Sequence, residues 1–227
     1  MVYSGKKEKA YGIQMSDAVI TSAFLTASGG FQDAYTYFYR DEVFANAQTG
    51  NIVLMAHHLF SGELAAALRY LLPLAAFAIG IFVAEHIRQK YRNASKIHWR
   101  QIIVIAEMVI LFSAGFMGQE LNTLATALIS FSCAMQVQSF RKINGFGYAS
   151  TMCIGNLRSG TEAYCVYRHT GDEKALKGAK HYFAVIGFFA VGAGLGSVAT
   201  QFFGASAIWI SCLLLAVSAI LMTSRSV

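Results

Sequence analysis

The sequence predicts an all-α integral membrane protein of six transmembrane helices, arranged as two inverted three-helix repeats, each with a broken or re-entrant Gly-Asn segment. Three observations predict it. The 227 residues are 56% hydrophobic and only 13% charged, against about 25% charged in an ordinary soluble domain. The charges that remain are gathered into short segments between long apolar stretches. The chain also aligns with itself, weakly but in consistent order, when its second half is laid on its first.

A helix needs about 20 residues to cross the hydrocarbon, where a charged side chain costs about 2.5–3.5 kcal/mol or more. Six stretches meet both conditions: roughly 18–39, 69–87, 101–118, 121–140, 181–202 and 205–223. Lys6, Lys7 and Lys9 ahead of the first stretch resemble a signal peptide, but the apolar run continues past Ala27-Ser28-Gly29 to Tyr39, which predicts an uncleaved span. Two further segments, about 43–60 and 148–166, are more polar. The first holds Asn46, Gln48, Thr49, Asn51, His57 and His58, and the second Asn156, Arg158 and Glu162.

Charge placement decides how these two are read. If neither crosses and the N-terminus is cytoplasmic, every Lys and Arg except Arg40 and Arg69 falls on the cytoplasmic side, C-terminal Arg225 included. If both cross, the basic segment 88–100 lies outside, against the positive-inside rule. A seven-span arrangement, in which only 43–60 crosses, remains the alternative and leaves more basic residues outside. The net charge of +6 is explained by this topology. The basic residues flank apolar spans and form no stripe, so no nucleic-acid partner is expected. The partners expected are the lipid bilayer and an unidentified small solute, with room left for an oligomer.

The chain reads as one transmembrane domain over 1–227, with repeat 1 at about 16–118 and repeat 2 at about 121–223. A shift of 105 pairs Gly50-Asn51 with Gly155-Asn156 and Thr21 with Thr126, and sets Asp33 against Gln138. After a seven-residue insertion, Tyr70, Phe77, Ala78 and Gly80 meet Tyr182, Phe189, Ala190 and Gly192. Three spans per half is an odd number, so the second half enters the membrane from the opposite side. In transporters of this plan the site lies near the midplane at the repeat interface, and irregular backbone at that depth must be buried in protein or line a wet cavity. The Gly-Asn amides therefore either face a pore or binding site or stitch broken helices together.

The first half reads GGFQDAYTYFYRDEVFANAQTGN, and the second AMQVQSFRK followed by YASTMCIGNLRSG. These stretches resemble the YoaK-like family of bacterial inner-membrane proteins, a domain-of-unknown-function family. Gly30, Asp33 and Ala34 match its Gly-x-x-Asp-Ala stretch. Thr49, Gly50 and Asn51 match its Thr-Gly-Asn, Met135 and Gln136 its Gly-Met-Gln-Asn, and Gly155, Asn156 and Leu157 its last motif. Ala134, Val137 and Ile154 depart from it, and the motif register sets Val137 opposite Asp33 in place of Gln138. The resemblance covers about residues 18–200. It implies a fold and a multi-pass inner-membrane address, with both termini cytoplasmic by charge, and no established activity.

The candidate solute-binding residues are Asp33, Thr49, Gly50, Asn51, Gln136, Gln138, Gly155 and Asn156. An ionisable group inside a span must be paired, protonated or wet, which makes Asp33 and Glu107 candidates for proton coupling. His57 and His58 point about 100° apart on a helix and are not expected to share a metal. Cys133, Cys153, Cys165 and Cys212 show no zinc spacing. No cofactor and no catalytic residue is expected. Gly192 and Gly196 form a GxxxG that predicts close helix packing, and Pro73 is expected to kink or start its span. The segment 88–100, with Tyr91 and Trp99, would suit anionic lipid heads. Gly171-Asp172-Glu173-Lys174 reads as a helix start in a connector. The function expected is a secondary transporter or channel for a small polar or anionic solute. The rival is a non-transporting sensor or assembly partner.

Overall fold

The computed structural model describes residues 19–91, 99–143 and 146–223. Among them the chain forms eight α-helices: α1 (Val19–Tyr39), α2 (Gln48–Phe60), α3 (Leu64–Tyr91), α4 (Trp99–Ala114), α5 (Asn122–Ser139), α6 (Cys153–Thr170), α7 (Glu173–Phe203) and α8 (Ile208–Thr223). A small antiparallel hairpin, β1 (Lys142–Ile143) with β2 (Phe146–Gly147), joins α5 to α6. The basic residues Lys6, Lys7, Lys9, Arg92, Lys96 and Arg225 lie outside the described residues.

Among the described residues two helical runs are long and apolar enough, by length and composition, to cross a membrane: α3, with mean hydropathy 2.0, and the run Glu173–Thr223, with 2.3. Pro73 sits inside α3, not at its start, and the helix runs from Leu64, ahead of the predicted boundary. The polarity of the molecule is inside out relative to a protein in water. Phe82, Val109, Phe202 and Leu213 face outward, while Ser28, Gln32, Arg40, Asn51, Glu107 and Asn156 are buried. Water would penalise that apolar surface, and a bilayer would not. That is the surface expected of a membrane-associated chain.

The helices pack in an exchanged pattern. α1 lies mainly on α7, and α5 on α3; α2 lies on α3, and α6 on α7; α1 also meets α8, and α5 meets α4, while α4 meets α8. Close approach depends on glycine. A Cβ on Gly192 or Gly196 would collide with the backbone of Ala27 or Phe31 on α1, and one on Gly80 with the Phe131 carbonyl on α5. The predicted GxxxG is thus the seam between α7 and α1.

The two polar segments become helices of 13 and 18 residues, α2 and α6, each reached by a stretch of chain that turns back along α1 or α5. After α1 the chain turns back at Asp41 and Glu42, both with positive φ (60° and 57°), a conformation that costs a non-glycine residue about 1–2 kcal/mol. It then descends along α1. The Ala45 N–H donates to Thr36 Oγ1 (3.0 Å), the Asn46 N–H to Asp33 Oδ1 (2.7 Å), and Asn46 Nδ2 to the Gly29 carbonyl (3.2 Å). Only there does α2 begin. The second break descends along α5 in the same way, with Gln136 Nε2 donating to Ser150 Oγ (3.0 Å). The Thr151 side chain closes against Gly29, where a Cβ would have no room.

Candidate functional site

Both breaks open on one cavity of about 960 Å³. Asp33 of α1, Asn46 to Thr49 at the start of α2, and Thr151 to Gly155 at the start of α6 supply its polar end. Phe38, Phe44, Leu74, Phe77, Ile81 and Phe189 supply apolar wall. The first turn of any helix leaves amide N–H groups without intrahelical acceptors, and neither α2 nor α6 has a side-chain cap. At the start of α2 the amides are already taken up, the Asn46 N–H by Asp33 Oδ1 and the Gln48 N–H by the Asn46 carbonyl, so it is the first turn of α6 that presents amides to the cavity. No Lys, Arg or His is among the described residues that line it.

Of the eight predicted binding residues, Asp33, Thr49 and Gly155 line this cavity, and the other five do not. Of the two readings left open for the asparagines, their hydrogen bonds match the one that stitches broken helices together. Asn51 Oδ1 accepts the Phe44 N–H (3.0 Å), and its Nδ2 donates to the Phe44 carbonyl (2.7 Å) and to Gln48 Oε1 (3.0 Å). Asn156 Nδ2 donates to the Ala149 carbonyl (2.7 Å). In each half the amide reaches seven residues back and fastens the descending strand of chain to the helix that follows. These side chains are consumed by backbone groups that would otherwise be buried without partners. Gly50 packs against the Phe44 ring. Gln136 holds Ser150 and the Leu25 carbonyl, and Gln138 donates to Glu85 Oε2 (2.8 Å) between α5 and α3.

Glu107 lies outside this cavity, so Asp33 and Glu107 do not share one. It belongs to a second buried group at the meeting of α1, α4, α5 and α8. Gln32 Nε2 donates to Ser28 Oγ (2.9 Å), Glu107 Oε1 (3.0 Å) and Ser211 Oγ (3.1 Å), and the Cys133 thiol donates to Gln32 Oε1 (2.6 Å). One amide thus collects polar groups from four helices and binds the bundle where no water competes. His57 and His58 sit at the far end of α2, with His58 Nδ1 on Glu63 Oε2 (2.6 Å) and its ring stacked on Tyr70. Downstream, Asp172 caps α7 through the Lys174 N–H (2.9 Å), the helix start expected there.

Three residues with a part in this arrangement escaped the sequence reading. Arg40, expected as an external cation, is fully buried. Its guanidinium donates to Tyr35 Oη (2.7 Å), Asn122 Oδ1 (3.0 Å) and the carbonyls of Ala114, Met117 and Gly118. A cation is favoured at the C-terminal end of a helix, and here it ties α1 to the end of α4. Asn46 and Thr151 are the other two. Both are buried (6% and 7% exposed) and line the cavity. Asn46 Oδ1 and Thr151 Oγ1 have no hydrogen-bond partner among the described residues. They occupy matching places, each five residues ahead of its Gly-Asn asparagine, and that spacing was the available signal.

A largely α-helical, membrane-associated protein with polar chain breaks around one cavity is the class these features define. The chain belongs to the family described as protein of unknown function DUF1275, whose model matches residues 21–221; this is the family whose motifs the two halves resemble. No curated protein and no solved structure matches it.

Proposed function

We propose that the chain is a secondary transporter or channel of the bacterial inner membrane, binding a small solute where two inverted three-helix repeats meet. The observation that carries this reading is the single cavity bounded by the starts of both α2 and α6. Three features support the repeats. The packing partners are exchanged between the halves. The two asparagine fastenings share one geometry. Buried polar residues recur at matched places along α1 and α5, with Ser28 and Gln32 answered by Ser132 and Gln136. In this reading six long helices cross, and α2 and α6 re-enter from opposite faces. The termini and the 88–100 segment are then cytoplasmic.

Half-helix N-termini near the midplane are a recurrent way to hold a solute. The carboxylate of Asp33 and the absence of any lining cation among the described residues turn the preference away from a simple anion. Ala78 lines the cavity from α3 and is exposed, so a larger side chain there fills the space without disturbing helix packing. In proteoliposomes loaded with a mixture of small metabolites and followed by mass spectrometry, the protein should exchange at least one solute across the membrane. The Ala78→Trp variant should fold and lose that exchange. Equal exchange by the two proteins would reject the cavity as the route.

The rival, a membrane sensor or assembly partner, has one observation in its favour. α6 carries Arg158 and Glu162 exposed on its outer face, beside a groove of about 580 Å³. At depth in a bilayer such charges call for a partner.

A further inference from the structure

The walls of the cavity decide what kind of solute it takes, on the reading that it is a solute site. Most of its polar side chains are committed elsewhere. Asp33 Oδ1 accepts the Asn46 N–H (2.7 Å), and Asn46 Nδ2 donates to the Gly29 carbonyl (3.2 Å). Gln48 is held between the Ala45 carbonyl (2.8 Å) and Asn51 (3.0 Å). Asn46 Oδ1 and Thr151 Oγ1 have essentially no accessible surface. Thr49 is the one exposed polar side chain among the lining residues, and the first turn of α6 lies at one end. A polar solute would give up its hydration here for few replacements. An ordered water needs about 2–4 polar partners and fares no better.

The rest of the wall is hydrocarbon. Leu74, Phe77, Ala78 and Ile81 follow the i, i+3, i+4, i+7 spacing of one face of α3, and Phe189 and Ala193 the i, i+4 spacing on α7. From Leu74 to Ile81 this face runs about 10 Å along the helix. α3 is one of the two runs long and apolar enough to cross the bilayer, and α7 belongs to the other. The slot between them therefore lies along the direction of the lipid tails. Its mouth is apolar as well, since Phe38 and Ile154 both line the cavity and are 64% and 79% exposed. The wall is thus continuous with the outward surface that meets lipid, and an apolar molecule passes from the bilayer to the cavity without crossing water.

We infer that the cavity holds the hydrocarbon tail of a bilayer lipid, which enters sideways past Phe38 and Ile154. The volume of about 960 Å³ is ample for one chain. The tail packs between the apolar faces of α3 and α7, over the gap that the small side chain of Ala78 leaves. For the transport reading, this makes the solute an amphiphile recognised by its tail.

The test is photolabelling of the full chain in nanodiscs of a phosphatidylcholine that carries a diazirine in the terminal half of one acyl chain, with the adducts mapped by mass spectrometry. Leu74 and Phe189, which line the cavity, should be labelled, as should Phe82 and Leu213, which face outward. In Ala78→Trp the indole fills the slot. The adducts on Leu74 and Phe189 should then be lost, while those on Phe82 and Leu213 persist and show that the variant is folded. A water-borne probe, a diazirinyl benzoate added outside the bilayer, should leave Leu74 and Phe189 unlabelled. Three results would overturn the inference: Leu74 and Phe189 bare in the unaltered protein while Phe82 and Leu213 are labelled, labelling of Leu74 and Phe189 by the benzoate, or adducts there that Ala78→Trp does not reduce. The first two need no variant, so they decide the matter even if Ala78→Trp does not fold. If the tail site fails while Ala78→Trp still abolishes solute exchange, the transport reading stands without it. If Ala78→Trp removes the adducts and leaves exchange unchanged, the tail site stands and the transport reading falls.

Discussion

α2 and α6 begin at matching points on one cavity, each fastened by an asparagine that reaches seven residues back, yet the two are anchored by different chemistry. Ahead of α2 the descending chain is held by a carboxylate, Asp33, and by Thr36 and the Gly29 carbonyl. Its turn is braced by Arg40, and Asn51 makes three bonds. Ahead of α6 the turn is the β1–β2 hairpin, Gln136 takes the place of the carboxylate, and among the described residues Asn156 makes one side-chain bond, to Ala149. The outer faces differ as well. Both expose apolar side chains, Ile52, Val53, Leu59 and Phe60 on α2 and Ile154, Leu157 and Val166 on α6, and α6 adds the charged Arg158 and Glu162. The lesson is that one backbone plan has been kept while its side-chain fastenings have diverged, with the first break the more heavily tied.

The largest expected effect comes from the brace found only in the first half. Arg40→Met keeps length and bulk but leaves Tyr35 Oη, Asn122 Oδ1 and three carbonyls without their donor. With about 1–3 kcal/mol for each buried group left unsatisfied, a loss of at least about 3 kcal/mol is expected. It should appear as a large drop in the thermal unfolding midpoint in detergent. A near-unchanged midpoint would show that the α1–α4 tie does not stabilise the first break.

Next comes the direct comparison of the two fastenings. Asn51→Ala frees both the N–H and the carbonyl of Phe44, whereas Asn156→Ala frees the Ala149 carbonyl alone. The first should cost about 2–3 kcal/mol and the second about 1 kcal/mol. Equal losses would mean that the bond count does not measure how firmly each break is held. Hydrogen exchange offers a finer reading, since the amides of 43–50 should be better protected than those of 148–155.

How much of this was legible beforehand depends on the kind of signal. The long apolar helices were, because α3 and the α7–α8 run are set by length and hydropathy, and both reach the structure close to where they were placed. The glycine seam was legible too, since Gly192 and Gly196 recur at helical spacing and only backbone approach explains them. The positions of the breaks were marked by Gly-Asn. The direction of each polar side chain was not, because periodicity gives a face within a helix and says nothing of a segment that turns back on its neighbour. The sequence therefore left Asn51 and Asn156 between lining a site and stitching the broken helices, and only the fold shows that they bond the returning chain. Arg40 read as external because it follows directly on the first predicted span, which ends at Tyr39, while its partners come from Ala114 to Asn122, far along the chain. Asn46 and Thr151 differ in residue type, so a repeat judged by identity passed over them.

The smallest effect tests the outer faces. Converting Arg158 and Glu162 together to Leu would give α6 the apolar exterior that α2 already has. If the only neighbours of that face are lipid and the headgroup region, removing two charges from the helix should change stability by no more than about 0.5 kcal/mol, the usual range for a surface change. Stability would even rise if both charges sit at depth. A marked loss would mean instead that Arg158 and Glu162 are met by complementary charges on another chain. Cys165 lies exposed in the same groove, so a second copy of this chain as that partner predicts oxidative cross-linking of native Cys165 in membranes, abolished by Cys165→Ser. A loss of stability without the cross-link assigns the face to a different protein. The two break helices would then differ in task as well as in chemistry, α2 turned to lipid and α6 to a partner.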